Sequence, residues 1–334
     1  MSDRRPPRPI AALDIGSSSI HLTLARVHAT PDGGPPRVEI MATLKDPARL
    51  AAYIQPDGAL SPDGVNRAIE TLRRYRRVAD EHHAEIRACA TAALRGATNS
   101  AAVLEQVGST CGVRIQIISG ADEARLVYQG VQHGLPWVQN ERVLCVDVGG
   151  GSTELLVGHQ GQVRCVASVP VGAVVVTRDL LAAEPLRPRA VQDARRRLAA
   201  RLSPQAKVIA ALGFDRAIGT GGSIQRAIRV ARARHTGDLR GDINGLRLPG
   251  EQLGQVIRSL LQANSRTDRL RIPGIDPERV DTLLGGAMVF EAVTGLLGIP
   301  EWTVSTSALR LGLLMDTWRR RDVVQESPGT GDLC

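Results

Sequence analysis

Hydrophobic positions follow two patterns that alternate along the whole chain. Short apolar runs predict buried strands, whereas apolar residues that recur every three or four positions predict helices with one buried face. The predicted strands cover residues 10–15, 20–27, 38–44, 86–90, 113–118, 143–146, 155–158, 162–169, 207–212, 216–218 and 303–305. The predicted helices begin near residues 62, 101, 121 and 224 or span 189–202, 251–262, 280–297 and 308–319. This alternation, with a hairpin at the start of each half, predicts an α/β fold whose mixed sheets are flanked by helices.

One strand–turn–strand pattern occurs twice: residues 14–19 read DIGSSS, and residues 147–154 read DVGGGSTE. Glycines in such turns let the backbone approach a ligand closely, and free N–H groups beside hydroxyls suit phosphate oxygens. The acids that flank the second copy, Asp147 and Glu154, suit a hydrated Mg²⁺. An ordinary hairpin turn is the alternative interpretation. The repetition and the flanking acids favour a phosphate site.

The net charge of the chain is +8, and Lys45 and Lys207 are its only lysines, so arginine carries the excess. Such a surface attracts polyanions, including nucleic acid, polyphosphate and nucleotides. Arginine-rich helices near residues 73–77, 195–201 and 226–234 are candidates for a polyphosphate track, although solvated helix faces are the ordinary interpretation. No helix-turn-helix pattern or aromatic RNA platform is visible in the sequence, so we expect no specific nucleic acid partner.

The five cysteines are scattered and never spaced as CxxC, which predicts neither a disulfide framework nor a zinc site. Their usage fits a reducing, cytoplasmic setting. The basic N-terminal stretch lacks the long apolar region of a signal peptide. The most apolar segment, residues 283–299, contains Glu291 and is short for a membrane span. We therefore expect a buried core helix there and no membrane partner.

Further motifs narrow the interpretation. In order along residues 14–314, the chain reads DIGSSSIHL, TAALR, SGADEAR, DVGGGSTEL, SVPVGAVVVT and SALRLGLL, with a third glycine-rich turn, GTGGS, at residues 219–223. The two phosphate loops resemble those of the actin-like ATPase superfamily. The complete set is similar to the exopolyphosphatase/guanosine pentaphosphate phosphohydrolase (Ppx/GppA) family, over about residues 10–314 and in its short, two-domain form.

The resemblance implies two actin-like, ribonuclease H-like domains with a cleft between them. The first would comprise residues 1–120 together with 306–334, and the second residues 121–305. The implied activity is Mg²⁺-dependent hydrolysis of the terminal phosphoanhydride of inorganic polyphosphate, which releases orthophosphate. Conversion of guanosine pentaphosphate (pppGpp) to the tetraphosphate (ppGpp) is the second implied activity, and a homodimer is compatible with the family.

The resemblance also implies residue roles. Glu123 would orient and deprotonate the attacking water, Glu154 would act beside it, and Arg95 would grip two phosphate oxygens. The alternatives are a first-turn acid favoured by the helix dipole for Glu123 and a surface ion pair for Arg95. Asp14 and Asp147 would bind Mg²⁺, or cap their tight turns. The implied phosphate-binding residues are Ser17, Ser18, Ser19, Gly149, Gly150, Gly151, Ser152, Thr153, Gly221, Gly222 and Ser223.

Three positions depart from the family pattern. Ser18 stands where Asn is usual, Leu311 replaces the usual Glu, and Gly221 is often another small residue. Glu123, Asp147 and Glu154 are retained, so we expect catalysis. A non-catalytic alarmone- or nucleotide-binding sensor and an ATP-dependent small-molecule kinase of the same superfamily are the rival hypotheses. The SGADEAR and SALR motifs speak against the kinase.

Overall fold

The structure, a computed structural model, describes residues 6–181, 186–237, 241–263 and 265–325. Its strands are β1 Ile10–Ile15, β2 Ile20–His28, β3 Arg37–Asp46, β4 Glu85–Ala90, β5 Ile115–Ile117, β6 Val143–Val148, β7 Thr153–His159, β8 Gln162–Val169, β9 Arg216–Thr220, β10 Arg247–Pro249 and β11 Glu301–Val304. Its helices are α1 Pro62–Glu81, α2 Ala92–Arg95, α3 Ser100–Cys111, α4 Gly120–Gly134, α5 Ala173–Leu180, α6 Pro188–Leu212, α7 Gly222–Thr236, α8 Gly250–Gln262, α9 Arg266–Leu270, α10 Val280–Leu297 and α11 Leu309–Gln325.

The strands form two sheets that share one plan. The first has the order β3-β2-β1-β4-β5 and the second β10-β11-β9-β6-β7-β8. In each, the leading strand pairs antiparallel with its hairpin partner, β1 with β2 and β6 with β7. On its other side it pairs parallel with a strand that arrives through a helical crossover, β4 or β9. The predicted α/β class with mixed sheets is confirmed.

Two helices lie in an apolar core that both sheets share. Val127 and Val131 of α4 pack there with Leu313 and Leu314 of α11. Strand residues from the first sheet, including Ile10, and from the second sheet join the same cluster. Separate clusters fill the remainder of each half. Since close-packed interiors resist displacement, this shared core fixes where α4 and α11 begin.

The predicted core helix is confirmed in α10. Met288 and Phe290 of this helix are fully buried, and Phe290 meets Trp302 edge to face, with ring centroids 5.0 Å apart. Within the described ranges, α10 is the one helix whose length and apolar composition would let it cross a bilayer, and 56% of it is buried inside the protein.

The prediction of a strand at residues 207–212 is wrong, because α6 continues through them. Buried residues Leu198, Leu202, Ala206 and Ile209 keep the helical spacing across Pro204, so one face stays in the core. Helix α5 was not predicted from the sequence. The first N–H groups of α5 donate to the carbonyls of Gly149 and Gly150, so this valine-rich helix begins on the second glycine loop.

Candidate active site

The two sequence copies form the same turn. Residues 16–19, the first loop, join β1 to β2, and residues 149–152, the second loop, join β6 to β7. The Gly16 N–H donates to the Ser19 carbonyl at 3.1 Å, and the Gly149 N–H donates to the Ser152 carbonyl at 3.0 Å. An aspartate precedes the glycine by two residues in each copy, Asp14 and Asp147. Both copies therefore place a carboxylate at the end of a central strand, beside a tight turn.

The two loops face each other closely. A Cβ atom on Gly150 would lie 2.6 Å from Ser18 Oγ and 3.0 Å from Ser17 Cβ, so only glycine fits without a shift. The third glycine turn joins them, since a Cβ on Gly221 would lie 2.6 Å from Asp147 Oδ1. The three turns border a cleft of about 400 Å³.

Most of the residues predicted for the site line this cleft. They are Asp14, Ser17, Ser18, Ser19, Glu123, Asp147, Gly149, Gly150, Gly151, Ser152, Gly221, Gly222 and Ser223. Thr153 is fully buried and its hydroxyl donates to the Val171 carbonyl, so the structure does not bring that hydroxyl to the cleft. Arg95 and Glu154 are not among the lining residues; Arg95 contacts the cleft residue Glu123 and also Glu154.

Glu123 lies in the first turn of α4. The Ser119 hydroxyl caps that helix by accepting from the Asp122 N–H at 3.1 Å. Glu123 is only 7% exposed and borders the cleft. Arg95 Nη1 donates to Glu123 Oε2 at 2.8 Å and to the Ile118 carbonyl at 3.0 Å. The helix cap and the guanidinium together fix the carboxylate at the cleft surface.

Glu154 is held beside this pair. Its Oε1 accepts from the Ser168 hydroxyl at 2.8 Å and lies 3.7 Å from Arg95 Nη2. Its Oε2 is buried without a hydrogen-bond partner among the described residues. Arg95 therefore bridges two buried carboxylates, and an isolated surface ion pair does not describe it.

Cationic side chains that the sequence analysis did not assign to the site also line the cleft. They are Lys45, Arg226, Arg279 and Arg310. Signals existed for three of them: Lys45 is one of two lysines, Arg226 lies in an arginine-rich helix, and Arg310 belongs to the SALR motif. No local pattern marked Arg279.

The profile of the Ppx/GppA phosphatase family matches residues 27–321. This chain belongs to the Ppx/GppA family. It is 31% identical over 326 residues to Exopolyphosphatase 1 of Mycobacterium tuberculosis, covering 96% of this chain and 90% of that protein. The Aquifex aeolicus member has a TM-score of 0.77 at 27% identity, covering 96% of this chain and 99% of that one. An exopolyphosphatase from Cytophaga hutchinsonii shares the fold with a TM-score of 0.80 at 24% identity, covering 93% and 98%.

In this Ppx/GppA protein, burial perturbs every carboxylate of the site. Burial raises the pKa of Asp14 to about 6; Arg310 lowers it and Asp147 raises it. Burial also raises the pKa of Asp147. Burial and then Glu154 raise the pKa of Glu123, against the opposing effect of Arg95. Burial and then Asp147 raise the pKa of Glu154. The cluster therefore favours protons or a bound cation over four free charges.

His21 has the opposite electrostatic environment. Burial first, then Arg310 and Arg279, lower its pKa to about 3. Its Nε2 lies 2.7 Å from Ser19 Oγ and its Nδ1 lies 3.0 Å from Arg310 Nη1. A neutral imidazole therefore connects the first loop to Arg310 of α11.

We expect the substitution Asp14→Asn to stabilise the ligand-free protein in a pH-dependent way. The pKa of Asp14 rises from 3.8 to about 6 on folding, so between these pH values the folded state binds a proton that the unfolded chain has released. Stability from this group is therefore present at low pH and is lost as the pH rises through 6. The variant should exceed wild type by about 3 kcal/mol at pH 7 and by little near pH 4.

Urea unfolding at pH 4 and pH 7, without divalent cations, measures this difference. Glu105→Gln, which removes an exposed carboxylate on α3, serves as the control and should match wild type at both pH values. An Asp14→Asn advantage that is the same at both pH values would contradict the assigned burial effect.

Proposed function

We propose that this protein is an exopolyphosphatase that hydrolyses the terminal phosphoanhydride of inorganic polyphosphate and releases orthophosphate. One observation carries the proposal: Glu123 borders a cleft that is lined on other sides by two glycine-serine loops and by four cationic side chains. Phosphoryl transfer requires a positioned nucleophile and electrostatic stabilisation more than covalent chemistry. A linear polyanion with a reactive end fits such a cleft.

In the proposed mechanism, Glu123 accepts the proton of a water that attacks the terminal phosphorus. Burial and Glu154 raise its pKa, so the hydrogen bond from Arg95 and a cation bound nearby would have to keep this carboxylate ionised for it to accept a proton near neutral pH. Arg95 keeps the carboxylate in place through its 2.8 Å hydrogen bond. The N–H groups of the first and second loops would hold the phosphate oxygens. The departing chain, shortened by one phosphate, would remain near the cleft cations.

Mg²⁺ fits this site as a cofactor held through Asp14 and Asp147, with Glu154 nearby. The described residues contain no group of three or more His, Cys, Asp or Glu side chains arranged around a metal. Mg²⁺ in phosphate sites is commonly held by one or two carboxylates, waters and substrate oxygens. The unpartnered Glu154 Oε2 and the two aspartates that line the cleft fit such an ion. When bound, Mg²⁺ would neutralise phosphate charge and keep these carboxylates ionised.

We expect Mg²⁺ to stabilise the folded protein and Asp147→Asn to remove that effect. At a Mg²⁺ concentration ten times the Kd, the gain in unfolding free energy should be about 1.4 kcal/mol. Thermal or urea unfolding with and without Mg²⁺ measures it, independently of turnover. The control variant Glu105→Gln should gain as much as wild type. An equal gain in Asp147→Asn would argue against this aspartate as a ligand.

We expect Glu123→Gln to lower the rate of phosphate release from polyphosphate by about 10²- to 10⁴-fold, because the amide cannot accept the proton of water. Released orthophosphate measured over time with Mg²⁺ gives kcat and KM, and Glu105→Gln should behave as wild type. An undiminished rate of phosphate release in Glu123→Gln would contradict the assignment of Glu123 as the general base. Binding without release by wild type would favour the sensor hypothesis, and ATP-dependent phosphorylation of an alcohol would favour the kinase.

A second candidate substrate is pppGpp, favoured by a recess of about 350 Å³ beside the cleft. The recess shares Thr43, Thr306, Ala308 and Arg310 with the cleft lining. Val38, Ile40, Leu311 and Leu314 supply apolar surface there. Apolar walls with a few polar groups are typical of small-molecule pockets. A nucleoside could occupy the recess while its phosphates enter the cleft.

We expect Ile40→Ser to lower kcat/KM for pppGpp by about fivefold, through lost apolar contact with the nucleoside, and to leave kcat/KM for tripolyphosphate unchanged. Ile40 is 53% exposed, so the fold should tolerate the change. Val208→Ser, at a site 51% exposed on α6, is the matched control. An equal decrease in kcat/KM for both substrates, or no decrease for pppGpp, would show that the recess does not bind the nucleoside.

The domain boundaries predicted above, a cytoplasmic location and a homodimer remain proposals. The packing of α11 against β1 and β2 supports assigning the C-terminal helix to the first domain, and its packing against α4 joins it to the second. Residues 1–5 and 326–334 of the proposed first domain lie outside the described residues.

A further inference from the structure

The four cleft cations have two kinds of partner. Arg310 contacts the neutral His21, and Arg279 Nη2 donates to the Ser19 hydroxyl at 2.9 Å. The other two, Lys45 and Arg226, each contact a carboxylate from one short stretch of chain, residues 271–279, between α9 and α10. We call this stretch the acidic segment after Asp276 and Glu278, although Arg271 and Arg279 balance their charge. Two of these four cationic groups, Lys45 and Arg226, are therefore already paired with a carboxylate of the protein itself.

The acidic segment is anchored to the second half of the protein. Ile272 and Ile275 pack against its apolar core. Asp276 accepts from Arg226 Nε at 2.7 Å and, through Oδ1, from the Glu278 N–H at 3.0 Å. Asp276 thus fixes both an arginine of the cleft and the backbone of Glu278. The position of the Glu278 carboxylate follows from these contacts.

Glu278 connects the acidic segment to the first sheet. Its Oε2 lies 2.5 Å from Nζ of Lys45, which belongs to β3. The side chains are 56% and 31% exposed, respectively. Exposed ion pairs contribute little net stability, because water and ions compete for both charges. Another anion that enters the cleft can therefore replace Glu278 on Lys45 at low cost.

We propose that Glu278 is an exchangeable counter-anion that competes with the substrate for Lys45 and thereby limits how tightly the cleft holds a phosphate chain. The inference rests on the proposed function, because it concerns the phosphates that the reaction does not cleave. A chain that is shortened by one phosphate must move before the next cycle. As the chain leaves, the ion pair between Glu278 and Lys45 forms again, so the cation is not left unpaired. The pair thus favours release and repositioning over the tightest binding.

The test compares Glu278→Gln with its parent by equilibrium binding and by turnover. Calorimetric titration with tripolyphosphate and Mg²⁺, in a Glu123→Gln background that slows hydrolysis, gives the Kd. Steady-state release from long-chain polyphosphate, with Glu123 intact, gives KM and kcat. Without its competitor, Lys45 should bind the chain more tightly, so Kd and KM should each fall about two- to fivefold. Slower departure of the shortened chain should lower kcat. Glu105→Gln, an acid outside the cleft, should change none of these values.

A double-mutant cycle separates this exchange from a general charge effect. In a Lys45→Met background, Glu278→Gln should leave Kd unchanged, because the cation for which Glu278 competes is gone. A decrease that persists in that background would overturn the proposal and indicate only that a negative charge near the cleft had been removed. A Kd that stays constant or rises in Glu278→Gln alone would also overturn it.

The outcomes for this inference and for the proposed function are distinct. Hydrolysis by wild type without a shift in Kd or KM overturns the exchange alone. The expected shift in Kd without hydrolysis by wild type supports the exchange and contradicts the exopolyphosphatase activity. Absence of both tripolyphosphate binding and polyphosphate hydrolysis overturns both. Unfolding curves that coincide for Glu278→Gln and its parent are expected from an exposed pair, and they show that an altered Kd does not come from a loosened fold.

Discussion

Two like charges buried at facing loops are the constraint on which this site depends. Asp14 and Asp147 end the central strands of the two sheets, and the loops after those strands touch through glycine backbone and serine side chains. Burial raises the pKa of both carboxylates, and Asp147 adds to the effect on Asp14. The arrangement is least stable when both groups are charged and unligated. The proposed Mg²⁺ would relieve this repulsion between the two carboxylates.

Packing in the shared core positions further groups of the cleft. Helices α4 and α11 pack against each other between the sheets, and the first turn of each lies beside the cleft. One supplies Glu123 and the other Arg310. An acid and a cation that are far apart in sequence therefore owe their relative position to apolar packing. Precise placement of reacting groups on rigid elements is what such chemistry requires.

Charge is distributed unevenly across the cleft. One set of charged groups fits the task of fixing the end of the substrate, and another fits the task of letting the remainder move. Arg95 holds the carboxylates of Glu123 and Glu154, and Glu123 is the base of the proposed reaction. Lys45, Arg226 and Arg279 border the cleft with mixed neutral and acidic partners. The carboxylates proposed to act on the terminal phosphate are thus buried and firmly held by Arg95. Lys45 and Glu278, in contrast, are exposed, and we propose that their contact is exchangeable. A polymeric substrate needs both properties, because one end must be fixed while the remainder moves.

Local patterns were enough to predict the class of fold and the core helix, from the spacing of apolar residues, and the two loops and the family, from the fixed order of strand, aspartate, glycine and hydroxyl. The sequence did not determine residues 207–212, since a short apolar run fits a strand or a helix, and the burial of Ile209 on the same helical face as Leu198 and Leu202 decides. It also assigned Thr153 to phosphate, although tertiary contact directs that hydroxyl to Val171. Only the tertiary structure brought Lys45 to Glu278, and Ser19 to Arg279, across more than 200 residues. The physical reason is that local periodicity records which face of an element is buried, whereas a site is made by the meeting of elements.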